Sequence, residues 1–280
     1  MMIHALWIAA AIAFVMLCTL LPFMPGSYDS LAAPLSVMAR IFGWVALLLV
    51  PVGALWRLAS RVNRFHGKEH VFGRIALLVW SIVLLSVALG ALTESGFAFG
   101  FATLLLGAYG TSLLRPRVKE LANLPPWRAS VASLYLIIVP VAVFILQRAL
   151  IPPAIEFSRD RAIENSAQII ADIESHRAAN GQYPPSLLSV SRDYSPGIVG
   201  VDRYQYEKRG DAFNLVFELP ARNFGTREFV VYNPRDEQVF TSHAFDLLRN
   251  TPEQLRLEWT RGHYAVHAAK QPHWKYFWFD

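Results

Sequence analysis

Five long runs of apolar residues dominate the first 150 residues of the chain. They cover residues 5–24, 38–57, 75–93, 97–114 and 130–150. Each approaches the ~20 residues that a helix needs to cross the ~30 Å hydrocarbon core of a bilayer. The pattern predicts five transmembrane helices, with residues 93–96 joining the third and fourth as a tight hairpin. A re-entrant pair is the alternative for these two.

Beyond the fifth run the pattern changes to that of an amphipathic helix. Pro152-Pro153 are expected to interrupt the preceding helix, because proline lacks the backbone N–H and clashes with the previous turn. A new helix is predicted from Ala154, since apolar residues recur there at three- and four-residue intervals. Asn180-Gly181 predict its left-handed C-terminal cap, and Pro184-Pro185 prevent its continuation.

After this helix apolar and polar residues alternate, which is typical of β-strands. Tyr204 and Tyr206, a turn at residues 209–211 and a second strand at residues 213–219 predict a hairpin. Further strands are predicted at residues 228–232, 238–241 and 274–279. We expect an α+β domain over residues 151–280, with a long helix on one face of an antiparallel sheet and solvent on the other. It follows an all-α transmembrane domain over residues 1–150.

Composition and charge agree with a membrane protein and narrow its partners. Hydrophobic residues make up 54% of the chain and charged residues 17%. The first 150 residues hold eleven Lys/Arg and four Asp/Glu, whereas the last 130 hold fifteen and seventeen. The positive net charge therefore belongs to the apolar half. The C-terminal half has no basic stripe interleaved with aromatic residues, so we exclude nucleic acid as a partner. The single Cys18 excludes an intramolecular disulfide.

The basic residues of the apolar half lie in two loops. Those between the second and third runs are Arg57, Arg61, Arg64, Lys68 and Arg74, and those between the fourth and fifth are Arg115, Arg117, Lys119 and Arg128. Because short loops rich in Lys and Arg stay in the cytoplasm, both are predicted to be cytoplasmic. The N-terminus is then cytoplasmic and the domain after residue 150 is outside. The first run has no basic residue before it, so we expect it to remain as a span rather than to be removed as a signal peptide.

The end of the amphipathic helix carries a recognisable motif. Residues 173–184 read IESHRAANGQYP, and a tyrosine-rich hairpin follows. This Asn-Gly-x-Tyr-Pro turn, with about residues 158–240 around it, resembles the globular part of type II secretion pseudopilins and type IV pilins. The resemblance implies a pilin-like fold and an extracytoplasmic placement of this domain. Together with the five spans and the charge pattern, it predicts a multi-pass protein of the bacterial inner membrane with a periplasmic domain. Pilins have one continuous hydrophobic helix, which Pro152-Pro153 are expected to break here, so we do not expect filament assembly.

Two sets of histidines have metal-ligand spacing. His66, Glu69 and His70 fit the H-x-x-E-H pattern of inverted zinc peptidases, where the histidines bind zinc and the glutamate acts as base. Gly67 and the surrounding positive charge argue against a zinc site in that loop. The second set is His263, His267 and His273, of which the first two share a face if residues 261–269 are helical; otherwise they are surface or packing histidines. We assign no metal and no cofactor.

The aromatic C-terminal tail is the candidate interaction site. Trp274, Tyr276 and Trp278 alternate along one side of the predicted last strand. They either complete the sheet or form a surface for a partner or for lipid headgroups, and we predict that they bind a protein partner outside the cytoplasm.

Polar chemistry within the spans is sparse. Arg40 and Glu94 lie near span ends, and no acid pairs with a charge at mid-depth, which is not typical of a proton-coupled transporter. We expect a non-enzymatic membrane protein with a binding, sensing or assembly domain. The alternatives are a small transport or channel subunit and a zinc-dependent membrane hydrolase that uses His66, Glu69 and His70.

Overall fold

The chain forms two compact units in the computed structural model. The first comprises Met1–Leu20 and Pro34–Ile151, and the second comprises Leu21–Ala33 and Pro152–Asp280. The structure describes residues 2–60, 69–120, 126–190, 194–220, 226–238 and 266–279. The sequence-based boundary after residue 150 falls beside the boundary at Ile151. The inclusion of residues 21–33 in the second unit is a feature that hydrophobic patterning did not indicate.

The five predicted apolar helices are present. They are α1 (Met2–Leu20), α2 (Ala32–Val45) with α3 (Leu49–Ala59), α4 (Glu69–Ser95), α5 (Phe97–Glu120) and α6 (Pro126–Asn165). A short 3₁₀ turn joins α2 to α3, so that the two form one apolar segment over Ala32–Ala59. By length and composition, five helical segments in the described ranges are able to cross a membrane.

Helices α4 and α5 form the predicted tight hairpin. Gly96 lies between them with φ of +88°, a left-handed conformation that favours glycine. A Cβ on Gly100 would lie 2.8 Å from the Cβ of Leu92, and one on Gly107 would lie 3.1 Å from Leu84. These two glycines therefore allow the helices to approach closely, which is the packing role expected of small residues in spans.

The predicted break at Pro152-Pro153 is wrong, because α6 runs without interruption from Pro126 to Asn165. The two prolines remove two backbone donors, but the residues on either side, Ile151 and Ile155, are buried. We attribute the continuity to this burial, which favours an unbroken helix over the local cost of proline. The helix ends instead at Asn165, whose side-chain amide donates to the carbonyl of Pro196 at 2.7 Å.

Helix α7 (Ala167–Asn180) follows after Ser166 and ends as predicted. Gly181 caps it in the left-handed conformation, with φ of +73°, and its N–H donates to the carbonyl of Arg177 at 2.8 Å. Tyr183 is buried two residues later and packs edge-on against Phe213, with ring centroids 5.0 Å apart. The Asn-Gly-x-Tyr-Pro turn therefore anchors the chain reversal to the sheet through its tyrosine ring.

In the described ranges the sheet has five antiparallel strands, in the order β1-β2-β3-β5-β4. They are β1 (Gln205–Arg209), β2 (Ala212–Pro220), β3 (Arg227–Tyr232), β4 (Val266–Ala268) and β5 (Trp274–Phe279). The hairpin, the third strand and the C-terminal strand are confirmed. Gln238 is not in a strand, residues 239–241 of the predicted fourth strand lie outside the described ranges, and β4 was not predicted.

Both faces of this sheet carry buried residues. On the helix face the core comprises Ile169, Ile173, Phe213, Leu215, Phe217, Leu219, Val230 and Trp274, among others. On the opposite face Val216, Val231 and Phe277 form a second buried cluster against Phe229. The expectation that this face is solvated is therefore wrong. Val216, Val231 and Phe277 are removed from water there just as the apolar residues of the helix face are.

Candidate functional site

Strand β5 lies between β3 and β4, so its aromatic residues are not at a free edge. Trp274 is 4% exposed, and its ring lies 5.3 Å from that of Tyr232 and 5.7 Å from that of Phe217, measured between centroids. Trp274 is therefore a core residue, and the structure does not present it as a surface anchor. Tyr276 and Trp278 are half-buried. Their partner-binding role stays a prediction.

Tyr276 and Trp278 enclose a buried ion pair between a helix and the sheet. Arg159 of α6 donates through Nε to Oε1 of Glu228 at 2.7 Å and through Nη2 to Oε2 at 3.0 Å. Glu228 lies on β3 directly opposite Trp278, whose Nε1 donates to Oε2 at 2.9 Å. The guanidinium carbon lies 3.6 Å from the centroid of Tyr276, within the range of a cation–π contact.

Burial makes this arrangement sensitive to the loss of either partner. The Glu228 side chain is inaccessible to solvent, and that of Arg159 is 10% exposed. A carboxylate at such a position requires compensating donors, which the fork of the guanidinium and the indole N–H supply. The pair fixes the position of α6 along β3, because the Nε and Nη2 groups of Arg159 can reach the two oxygens of Glu228 together in only one alignment.

His267 of β4 borders the same cluster. Its ring stacks on Tyr276 at 5.1 Å between centroids and meets Trp278 edge-on at 4.7 Å. Burial lowers the pKa of the His267 imidazole, and the nearby positive charge of Arg159 lowers it further, while Glu228 acts in the opposite direction. His267 is therefore a packing histidine, and its surroundings favour the neutral form of the imidazole.

His267 does not adopt the helical alternative considered for residues 261–269. His267 lies in a strand, and His263 lies outside the described residues. His273 adopts φ of +66° in the turn before β5, where its Nδ1 lies 3.0 Å from Oδ2 of Asp236. Within the described ranges no three His, Cys, Asp or Glu side chains are grouped so as to hold a metal ion.

The other proposed metal string is only partly described. His66 lies outside the described residues, and Glu69 is the first residue of α4. His70 is half-buried, and its Nδ1 has no hydrogen-bond partner in the part of the chain that the structure describes. The string stays a prediction.

A salt-bridge cluster involves two acidic residues of α6 that flank Arg159 in sequence. Lys270, in the turn between β4 and β5, contacts Glu156 at 2.5 Å and Asp160 at 3.0 Å. These acids lie one helical turn apart on α6, on either side of Arg159 in sequence. Side-chain exposure of 66% for Lys270 makes this a screened surface contact, weaker than the ion pair beside it.

Residues 21–33, here named the strap, pair with the segment 197–200 inside the second unit. The N–H groups of Gly26 and Asp29 donate to the carbonyls of Gly197 and Val199 at 3.0 and 2.9 Å. In return Val199 and Gly200 donate to Met24 and Pro22 at 2.9 and 2.8 Å. Gly200 permits this approach, because a Cβ there would lie 2.6 Å from the Pro22 carbonyl oxygen.

Sequence reasoning missed the strap. Its only local signal is the concentration of proline and glycine in both segments, at Pro22, Pro25, Gly26, Gly197 and Gly200. Such residues indicate a tight approach of two backbones, but they do not identify which segments approach each other.

Polar side chains of the first unit bind one another across helices. Gln147 of α6 donates from Nε2 to Oγ1 of Thr19 on α1 at 2.9 Å and to the carbonyl of Ala39 on α2 at 2.8 Å. Ser36 of α2 donates to the carbonyl of Thr19 at 2.6 Å. Arg40, expected near a span end, is 4% exposed and therefore buried. These contacts join three helices inside the unit.

The buried carboxylate of Glu228 accepts three hydrogen bonds, two from Arg159 and one from Trp278, and burial lowers the pKa of the His267 imidazole beside it. Comparisons of the chain with protein-family models, with curated proteins and with solved structures give no match.

Proposed function

We propose that this chain is an integral membrane protein that holds a pilin-like α+β domain on the outer side of a bacterial inner membrane, where the domain binds or assembles with a protein partner. No catalytic step is assigned to it. The spans act as the anchor, and recognition belongs to the second unit.

The pairing of the strap is the observation that carries this proposal. The strap follows the first apolar helix, and its partner segment 197–200 follows the fifth. Four spans separate the two, and a chain that crosses a membrane four times returns to the side from which it started. A re-entrant pair in place of the third and fourth spans leaves this parity unchanged.

Charge then selects which side that is. Both basic loops lie after an even number of spans, and both the strap and the domain lie after an odd number. Retention of Lys and Arg in the cytoplasm therefore favours an outer location for the strap and the domain together. Two independent arguments, one from hydrogen bonds and one from charge, support the same topology.

The continuity of α6 supports a pilin-like arrangement of the domain. The expected break at Pro152-Pro153 was one departure from a pilin, in which one helix serves both the membrane and the sheet. Residues 152–165 of α6 continue into the second unit, where Ala162 and Ile163 are part of its core. Filament assembly stays outside the proposal.

Topology is tested by cysteine labelling in intact cells. In a Cys18→Ala background, Asp29→Cys and Asp202→Cys should react with a membrane-impermeant maleimide, whereas Ser60→Cys should react only after permeabilisation. Reporter fusions at residues 60, 120 and 280 should read inside, inside and outside. Protection of both Asp29→Cys and Asp202→Cys would place the domain in the cytoplasm and refute the proposal.

Partner binding is tested by photo-crosslinking from exposed positions of the second unit, such as Ala171 on α7. The control is a crosslinker at Phe14 on α1, which should capture lipid. Protein adducts from α7 that survive substitution of His66, Glu69 and His70 by alanine support a recognition role. Loss of these adducts on substitution of the histidines would move the site to the cytoplasmic loop.

A further inference from the structure

The strap has a buried side and an exposed apolar side. Phe23 is 2% exposed, whereas Met24, Tyr28 and Leu31 are 43%, 48% and 51% exposed. The only charged residue of the strap is Asp29, whose Oδ1 accepts a hydrogen bond from the N–H of Leu31 at 2.9 Å. Exposed apolar side chains clustered in one short loop mark a surface that contacts something other than water.

The position of the strap in the chain limits what that surface meets. Met24 directly follows the apolar segment Met2–Phe23, and Leu31 directly precedes Ala32–Ala59. A residue extends the chain by at most about 3.6 Å, so both lie within about 4 Å of a span end. The headgroup layer is roughly 5–8 Å thick on each side of the hydrocarbon core. Because Met24 and Leu31 are so close in the chain to a span end, their side chains are kept at the depth of the headgroups.

We propose that Met24, Tyr28 and Leu31 insert into the phospholipid interface of the outer leaflet, so that the strap is a membrane-seating surface for the second unit. This inference rests on the proposed function, because it requires α1 and α2 to cross a bilayer. Tyrosine is enriched at this depth, since its ring is apolar and its hydroxyl is wetted. The occupant is lipid rather than protein.

The backbone of the strap gives this contact a structural effect. Its N–H and carbonyl groups bind residues 197–200, while the three side chains stay exposed. The strap thus makes the hydrogen bonds to residues 197–200 through its backbone and the lipid contact through its side chains. Insertion of the side chains holds the domain at a fixed depth relative to the bilayer surface.

The test is a depth measurement on the full-length protein in nanodiscs of phosphatidylethanolamine and phosphatidylglycerol. Single nitroxide labels are placed at Met24→Cys, Tyr28→Cys and Leu31→Cys in the Cys18→Ala background, and collision rates with O₂ and with nickel-EDDA are compared. Phe14→Cys on α1 serves as the lipid reference. Leu188→Cys serves as the matched control, because Leu188 is apolar and 92% exposed in the same unit.

The O₂-to-nickel collision ratio should be highest at Phe14, intermediate at the three strap positions and lowest at Leu188. Strap ratios equal to that of Leu188 would overturn the inference, and so would low collision rates with both reagents, which indicate cover by protein. If Phe14 itself gives the aqueous ratio, α1 does not lie in the bilayer and the proposed function fails as well. The Phe14 label thus separates the two failures.

Discussion

Arg159 and Glu228 form a two-point ion pair between α6 and β3, with both carboxylate oxygens bound by the same guanidinium. Because the pair is buried, removal of one partner leaves an uncompensated charge. We expect Arg159→Met or Glu228→Leu to lower the free energy of unfolding by about 3–5 kcal/mol. The double variant should lose less than the sum of the two.

Hydrogen exchange of the β3 amides in the full-length protein in detergent measures these changes. The control is Arg161→Met, because Arg161 pairs with Glu164 at the surface, with side chains 51% and 59% exposed. That variant should change exchange by less than about 0.5 kcal/mol. Equal effects of Arg159→Met and Arg161→Met would show that the buried pair has no special role.

Trp274 should behave as a core residue. Truncation to alanine in Trp274→Ala should destabilise the second unit by about 3–5 kcal/mol, because the ring packs against Phe217 and Tyr232. Leu188→Ala, at an exposed position, should change stability by less than about 0.5 kcal/mol. Near-ultraviolet circular dichroism during urea unfolding compares the two. If Trp274→Ala leaves the protein folded with an unchanged urea midpoint, Trp274 is not a core residue and is again a candidate for partner binding.

The strap should detach when Gly200 gains a side chain. In Gly200→Ala the new Cβ would lie 2.6 Å from the Pro22 carbonyl oxygen, so the two segments must separate at a cost of about 1–3 kcal/mol. Amide exchange at Gly26, Asp29 and Val199 should become faster. Gly110→Ala is the control, because its added Cβ would meet no described atom within 4 Å apart from the adjoining residues and backbone of its own helix. Unchanged exchange in Gly200→Ala would mean that the strap is not held by this pairing.

Gly43 and Gln147 should be coupled. A Cβ on Gly43 would lie 1.9 Å from Oε1 of Gln147, so Gly43→Ala alone must displace the amide and its hydrogen bonds to Thr19 and Ala39. Those interhelical bonds are worth about 0.6–2 kcal/mol in a membrane protein. Gln147→Ala should lose these hydrogen bonds. Adding Gly43→Ala to Gln147→Ala should then lower the stability little further, because the amide that the new Cβ would displace is already absent. Thermal stability of the four proteins in detergent gives the double-mutant cycle, and additive losses would contradict the coupling.

Acid should destabilise the second unit through His267. Burial lowers the pKa of the folded imidazole below its ordinary value of 6.5. Above both pKa values neither state binds a proton, whereas below about pH 6.5 the unfolded chain binds one before the folded protein does. Stability should therefore fall as pH drops through this range, and His267→Phe should show a smaller fall. Urea midpoints between pH 7.5 and pH 5 measure it, and identical slopes for both proteins would exclude His267 as the cause.

Local rules predicted the parts of the fold that depend on neighbours in sequence. Asn180-Gly181 gave a correct helix end because a left-handed cap needs only glycine and the preceding turn. Pro152-Pro153 predicted a helix break that is absent. The burial of Ile155, to which we attribute the continuous helix, depends on residues distant in the chain and is not visible in the local pattern. Apolar Val216 and Phe277 on the second sheet face were a readable sign that this face is covered as well.

The candidate site was less predictable than the fold. The alternation of Trp274, Tyr276 and Trp278 identified the strand, but not that Arg159 and Glu228 occupy the space beside it. No periodicity links residues on a helix and a strand so far apart in sequence. The pairing of the strap with residues 197–200 was hidden for the same reason.

The strap also sets an order of events during biosynthesis. It leaves the ribosome before four of the five apolar helices, and its partner segment emerges only after all of them. At about 5–20 residues per second, the interval between the two is on the order of 10 s. Until then Gly26 and Asp29 lack their native acceptors, so the nascent domain cannot complete its fold before the last apolar helix has left the ribosome. A chain stalled in translation before residue 197 would therefore leave the N–H groups of Gly26 and Asp29 without their native acceptors.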